Sequence, residues 1–183
     1  MLKNSDNAWG VVAKTFHWLL AVIIIAQLVL GKVAEEASVS PQKLDLFVWH
    51  KSIGVTVLLL VALRIAWRLV ITPPRAVAGV ARWEHWAARA SHALLYILMI
   101  VVPISGWWVS DTSRIPFKAF WLIPVPDFLA ADRDASQAAE VVHGILTTTL
   151  LVLIVVHILA ALRHHFILRN DTLRRMLPFR RRE

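Results

Sequence analysis

Eight histidines stand in a chain of 183 residues that contains no cysteine. Four of them fall in the run A-A-E-V-V-H-G-I-L-T-T-T-L-L-V-L-I-V-V-H-I-L-A-A-L-R-H-H-F, from Ala138 to Phe166, and two of these, His143 and His157, lie within its apolar part. They are 14 residues apart, which is close to four helical turns at about 100° per residue, so both rings project from one face. At ~1.5 Å rise per residue they sit roughly 21 Å apart along the axis. A bilayer's hydrocarbon core is about 30 Å thick, so one ring would lie near each side. A titratable ring inside a membrane helix is costly to bury and marks a functional position by default. The bland alternative is that each ring only hydrogen-bonds to a neighbouring helix.

Partners for both levels exist elsewhere in the chain. His50, in Trp49-His50-Lys51-Ser52-Ile53-Gly54, opens an apolar stretch at the same level as His143. His17 beside Trp18, and His92, fall at the level of His157. Two imidazoles facing each other at one depth from neighbouring helices suit the iron of a b-type haem. Such an arrangement gives two haems, the outer one between His50 and His143. The inner one would lie between His157 and either His17 or His92. The missing cysteines exclude c-type haem attachment, thiolate-held iron–sulfur clusters and disulfides. A zinc centre is disfavoured because no carboxylate sits beside these histidines within the spans. Gly54 and Gly144, near the histidines, would let a flat macrocycle approach the backbone or let helices pack closely. Arg64 and Arg68 either snorkel to the headgroups or, Arg64 above all, meet haem propionates.

The elements that must carry these residues are membrane helices. The chain is 58% hydrophobic, with mean hydropathy +0.62, too apolar for an ordinary soluble domain. Apolar stretches at about 11–33, 47–71, 85–110 and 138–166 are each long enough to cross a bilayer. The expected architecture is an all-α membrane protein, a bundle of four transmembrane helices in a single domain spanning 1–183. The first stretch runs into Gly31-Lys32-Val33 rather than a small-residue cleavage site, so it reads as a span and not a signal peptide.

The net charge is +8, and its distribution sets orientation. The second connection holds Arg64, Arg68, Arg75, Arg82 and Arg89 against Glu84. The tail from Arg163 holds seven arginines against Asp171 and Glu183. The third loop holds Arg114, Lys118 and Arg133 against Asp111, Asp127, Asp132, Asp134 and Glu140. Basic residues near the spans favour the cytoplasmic side, which puts both termini inside. The basic tail, 167–183, reads as a partner of anionic lipid rather than of nucleic acid. Thr72-Pro73-Pro74 should end the second helix. The stretch 75–89, with Trp83 and Trp86, reads as an amphipathic approach along the surface. The loop 111–140 is either a lid over the outer level or a linker.

The chain resembles the bacterial cytochrome b561 family, close to its superoxide oxidase members, over almost its whole length. The resemblance rests on F-H-W at 16–18, W-H-K-S-I-G at 49–54, T-P-P at 72–74 and S-H-A-L-L-Y at 91–96. It continues in P-I-S-G at 103–106, V-H-G at 142–144 and H-I-L-A-A-L-R-H-H-F-I-L-R-N-D-T-L-R-R-M-L-P at 157–178. The order of histidines is also similar to the membrane cytochrome b subunits of formate dehydrogenases and hydrogenases. The resemblance implies two haems b, with His17 paired to His157 and His50 to His143 as axial ligands. It leaves His92 and His164 to line a ubiquinone site, with Arg75 or Arg82 as the accompanying basic residue. It implies a multi-pass protein of the bacterial inner (cytoplasmic) membrane that oxidises superoxide on the outer side and reduces ubiquinone, a superoxide:quinone oxidoreductase. Lys51, Arg114, Lys118 and Arg133 would draw in the anion, although the outer loops are net acidic. The alternative function is an electron-transfer subunit linking the quinone pool to a partner redox protein. A transporter ranks last, because paired broken segments and repeat symmetry are missing.

The charge asymmetry generates a direct expectation. A fluorescent protein fused after Glu183 should glow, and a periplasm-dependent phosphatase fused there should stay inactive. The reverse pattern would invert the orientation.

Overall fold

A computed structural model describes residues 1–77, 79–113 and 117–178. Four long helices dominate it: α1 Val11–Glu36, α2 Pro41–Val70, α3 Arg82–Thr112 and α4 Arg133–Phe166. All four are long and apolar enough to span a membrane. Between α3 and α4 lies a two-stranded antiparallel hairpin, β1 Lys118–Ala119 paired with β2 Ile123–Pro124.

Helix ends extend beyond the apolar stretches, because caps rather than hydropathy decide them. α2 starts at Pro41, six residues before the apolar run. The Ser40 side chain accepts from the Lys43 amide at 3.3 Å and Pro41 supplies a preset first turn. α4 starts at Arg133 because the Asp132 carboxylate accepts from the Asp134 and Ala135 amides at 2.8 and 3.0 Å. The anticipated surface approach over 75–89 is therefore shorter, since 82–89 already belong to α3. The lost length matters little: a helix is the cheapest way to satisfy backbone groups near lipid. α2 closes at Val70, two residues before Thr72-Pro73-Pro74. α3 runs on through Pro103.

The helices pack in chain order, α1 on α2, α2 on α3 and α3 on α4. Their contact is a thin apolar layer at mid-depth: Leu20 and Ile24 from α1, Val57 and Val61 from α2, Leu98 and Met99 from α3, Leu150 from α4. Four of these lie seven residues after a histidine of their own helix: Ile24 after His17, Val57 after His50, Met99 after His92, Leu150 after His143. Seven residues is about two turns, so each apolar side chain stands on its histidine's face. His157 follows Leu150 by another seven. The layer thus separates a histidine level above from one below. Most other apolar side chains, such as Val155 and Leu159 on α4, are exposed on the bundle's surface, as lipid-facing residues are.

Between helices in lipid, association depends on close van der Waals contact rather than on exclusion of water. Leu150 is 3% exposed and Leu159 59%. Leu150→Ala should therefore cost about 2–5 kcal/mol, read as a lower thermal midpoint in detergent. Leu159→Ala should stay within about 0.5 kcal/mol.

Candidate functional site

α4 packs chiefly on α3. Across the slot between α4 and the α1–α2 pair, imidazoles meet above and below the apolar layer. The histidines face into the slot.

At one end, His50 of α2 and His143 of α4 meet with ring centres 6.4 Å apart and planes at 85°. Glycines of neighbouring helices make room for both rings. A Cβ on Gly31 would stand 2.8 Å from His50 Cε1, and one on Gly106 would stand 3.1 Å from His143 Cε1. Only a residue without a side chain lets α1 and α3 approach the imidazoles this closely. Gln27 of α1 donates through Nε2 to the His50 carbonyl. Ser105 of α3 stands 2.9 Å from His143 Nδ1. By contrast, a Cβ on Gly144 would meet nothing within 4 Å, so the backbone beside His143 borders open space. The nearest atom to a Cβ on Gly54 would be Gln27 Nε2 at 3.7 Å.

At the other end three imidazoles gather. His157 of α4 lies 6.3 Å from His17 of α1 and 5.4 Å from His92 of α3, between ring centres. His92 is exposed, whereas His17 and His157 are half-buried. Arg64 of α2 donates through Nε to the Tyr96 hydroxyl at 2.9 Å, and its guanidinium lies 5.4 Å from the Tyr96 ring centre. Arg68 faces the same ring at 5.8 Å. His164 lies further on, where the Asn170 amide donates to its Nδ1 at 2.9 Å. The structure thus ties His164 to the tail. Arg75 pairs with Asp6 at 3.2 Å on the surface, and Arg82 begins α3.

These geometries fit a haem-bound iron at two places. Two metal–imidazole bonds of about 2.0 Å, with roughly 1.2 Å from each nitrogen to its ring centre, set the centres about 6.4 Å apart. The His50–His143 and His17–His157 spacings match this value, and His92–His157 is about an ångström too short. His17 and His50 have buried Nδ1 atoms without a hydrogen-bond partner. Among the described residues nothing bonds to these two nitrogens. Membrane interiors rarely tolerate such unpaired nitrogens.

Both ends are closed by polypeptide. Over the His50 end folds the hairpin. Ser52 donates to the Val48 carbonyl at 2.6 Å and accepts from the Phe120 amide at 2.7 Å. Asp111 accepts from the Phe128 and Leu129 amides, each at 2.9 Å. Phe120 and Trp121 take left-handed backbone angles, φ 50° and 60°, which cost bulky residues about 1–2 kcal/mol each. The cost is offset by contacts that this turn creates, since it sets both rings edge-on to Trp49, at 5.8 and 5.3 Å. The hairpin thus packs onto α2 beside His50. Lys51 turns inward, donating to Ser110 at 3.0 Å and lying over the Phe117 ring. Arg114 lies outside the described residues. Lys118 and Arg133 are exposed. Below the other end folds the tail: Trp18 Nε1 donates to the Met176 carbonyl at 2.8 Å and Lys14 to the Leu177 carbonyl at 2.9 Å.

Sequence reasoning did not single out Ser105, Gln27, Gly31 or Tyr96 as site residues. The signal for Ser105 was available in P-I-S-G, which places a hydroxyl beside a helix-loosening proline. Nothing in the sequence says which helix Gly31 or Gln27 faces.

The profile of the prokaryotic cytochrome b561 family matches residues 8–179. The chain is 33% identical over 181 residues to cytochrome b561 homolog 2 of Escherichia coli, covering 95% of this chain and 93% of the relative. It is 29% identical over 167 residues to the probable superoxide oxidase CybB of Yersinia pestis, covering 90% and 93%. It is 27% identical over 132 residues to cytochrome b561 homolog 1 of Escherichia coli, covering 72% and 74%. With four membrane-spanning helices around facing histidines, and with a family match over nearly its whole length, the chain belongs to the prokaryotic cytochrome b561 family of haem b electron-transfer proteins of bacterial membranes.

Proposed function

We propose that this cytochrome holds two haems b, one between His50 and His143 and one between His17 and His157. It takes electrons from superoxide at the outer end and delivers them to ubiquinone at the inner end. Its setting in this reading is the bacterial inner membrane, with both termini in the cytoplasm. The observation that carries the proposal is the pair of imidazole spacings, 6.4 and 6.3 Å, on either side of one apolar layer.

Haem b supplies a one-electron iron couple at each level. Each superoxide gives up one electron and leaves as oxygen. Two electrons and two protons convert ubiquinone to ubiquinol. The chain's own residues do the rest. Lys51, beside His50 and turned inward to Ser110, puts a positive charge at the mouth through which an anion must pass. The lid of Trp49, Phe120 and Trp121 excludes bulk water and larger donors from the outer level. Arg64, oriented by Tyr96, offers a charge to propionates at the inner level. His164 accepts from Asn170 at Nδ1, so its neutral ring carries a proton on Nε2 and can donate to a quinone carbonyl. His92, exposed and too near His157 to share an iron with it, stands free for the same site.

A second reading has one observation in its favour. The third loop is net acidic, which suits a basic redox protein docking at the outer end better than an anion. In that reading the chain links the quinone pool to such a partner.

Purified protein should contain two b-type haems per chain. His17→Ala, His50→Ala, His143→Ala and His157→Ala should each lose one, while His92→Ala keeps both and slows quinone reduction. Mixing the protein alone with superoxide should reduce the haems, and a ubiquinone analogue should reoxidise them. Haems that superoxide leaves oxidised, but that a partner fraction reduces, would select the second reading.

A further inference from the structure

We infer that Ser105 is a positioning residue for His143. It fixes which ring nitrogen faces the slot and thereby tunes the outer haem apart from the inner one. The inference rests on His50 and His143 being the ligands of that haem.

Hydrogen bookkeeping decides the direction of the contact. Ser105 is 5% exposed. Its hydroxyl carries one proton and two lone pairs. Oγ stands 2.8 Å from the Val102 carbonyl, which can only accept, so the proton goes there. Oγ also stands 2.9 Å from His143 Nδ1. With its proton committed, Ser105 can only accept from the ring. Nδ1 therefore carries the hydrogen of the neutral imidazole, and Nε2 keeps its lone pair for a metal. Gly106, the next residue, holds the ring from the side, since a Cβ there would press on Cε1 at 3.1 Å. One turn of α3 supplies both the hook and the wall.

The other rings at the two levels lack such a hook. His17 and His50 each have a buried Nδ1 without a partner, and no side chain among the described residues donates to or accepts from His157. The asymmetry has a chemical consequence. A hydrogen bond from the far nitrogen raises a ligand's basicity and fixes its tautomer and orientation. A more basic imidazole favours ferric over ferrous iron, so it lowers the midpoint potential. Ser105 thus makes the outer haem the more ready donor than it would be with two unanchored imidazoles. That bias drives electrons away from the lid and toward the other level.

The test is a redox titration of the purified, haem-loaded protein, followed by low-spin electron paramagnetic resonance. His50→Ala identifies which midpoint and signal belong to the outer haem. Ser105→Ala should raise that midpoint by about 59 mV, a tenfold change in ferric preference for a one-electron couple. It should shift the outer signal and weaken haem retention about tenfold, with the inner haem unchanged. Ser105→Thr, which keeps the hydroxyl, should restore all three. Unchanged outer midpoint and signal in Ser105→Ala, or an equal change at both haems, would overturn the inference while leaving two haems in place. If Ser105→Ala does not accumulate, proton–electron double resonance on the unaltered protein decides: one outer ligand should show a more strongly hydrogen-bonded Nδ1 proton than the other, and equal couplings would refute it. An unaltered chain without a haem at the His50 level would instead overturn the ligand reading itself.

Discussion

A membrane interior has no water with which an imidazole can pair, and that constraint organises this bundle. Five histidines at two depths must either find partners or be held ready for one. The packing meets the demand by geometry. His17, His50, His92 and His143 each stand two turns from an apolar residue on their own face, and those residues belong to the layer that all four helices share. The layer keeps the helices in register. Above and below it the slot stays open.

The same constraint explains why small residues matter so much. Gly31 and Gly106 leave space that His50 and His143 fill, so the rings are wedged between helices. Gly144 serves the opposite purpose by facing empty space. Serine and glutamine side chains then take the polar work that remains. Gln27 reaches the His50 carbonyl, and Ser105 reaches the His143 ring. Both come from helices that carry no outer-level histidine, so a third helix reaches the backbone of His50 and the ring of His143.

The two ends are closed differently because they meet different surroundings. The hairpin end is aromatic and strained, with Phe120 and Trp121 in left-handed angles that set them edge-on to Trp49. Asp111 and Ser52 hold this shape by binding its amides. The tail end is held by carbonyls that accept from Trp18 and Lys14, and by the Glu84–Arg163 ion pair. An aromatic cap and a charged fold-back give each mouth its own chemistry.

Hydropathy and spacing determined a great deal without coordinates. The four spans follow from length and apolarity, because a backbone in lipid needs a helix or a closed barrel and apolar runs this long suit the helix. The 14-residue separation of His143 and His157 follows from helical periodicity alone, so the two levels were legible in one segment. Helix ends were less legible, since Ser40 and Asp132 start their helices well outside the apolar runs. The tertiary structure decided what periodicity cannot reach. Which of His17 and His92 stands at an iron-spanning distance from His157 depends on how α1 and α3 flank α4, and the difference is about an ångström. That Ser105 meets His143, across 38 residues, is likewise a fact of helix packing. A sequence states what each helix presents on its own faces; only the packed bundle states which faces meet.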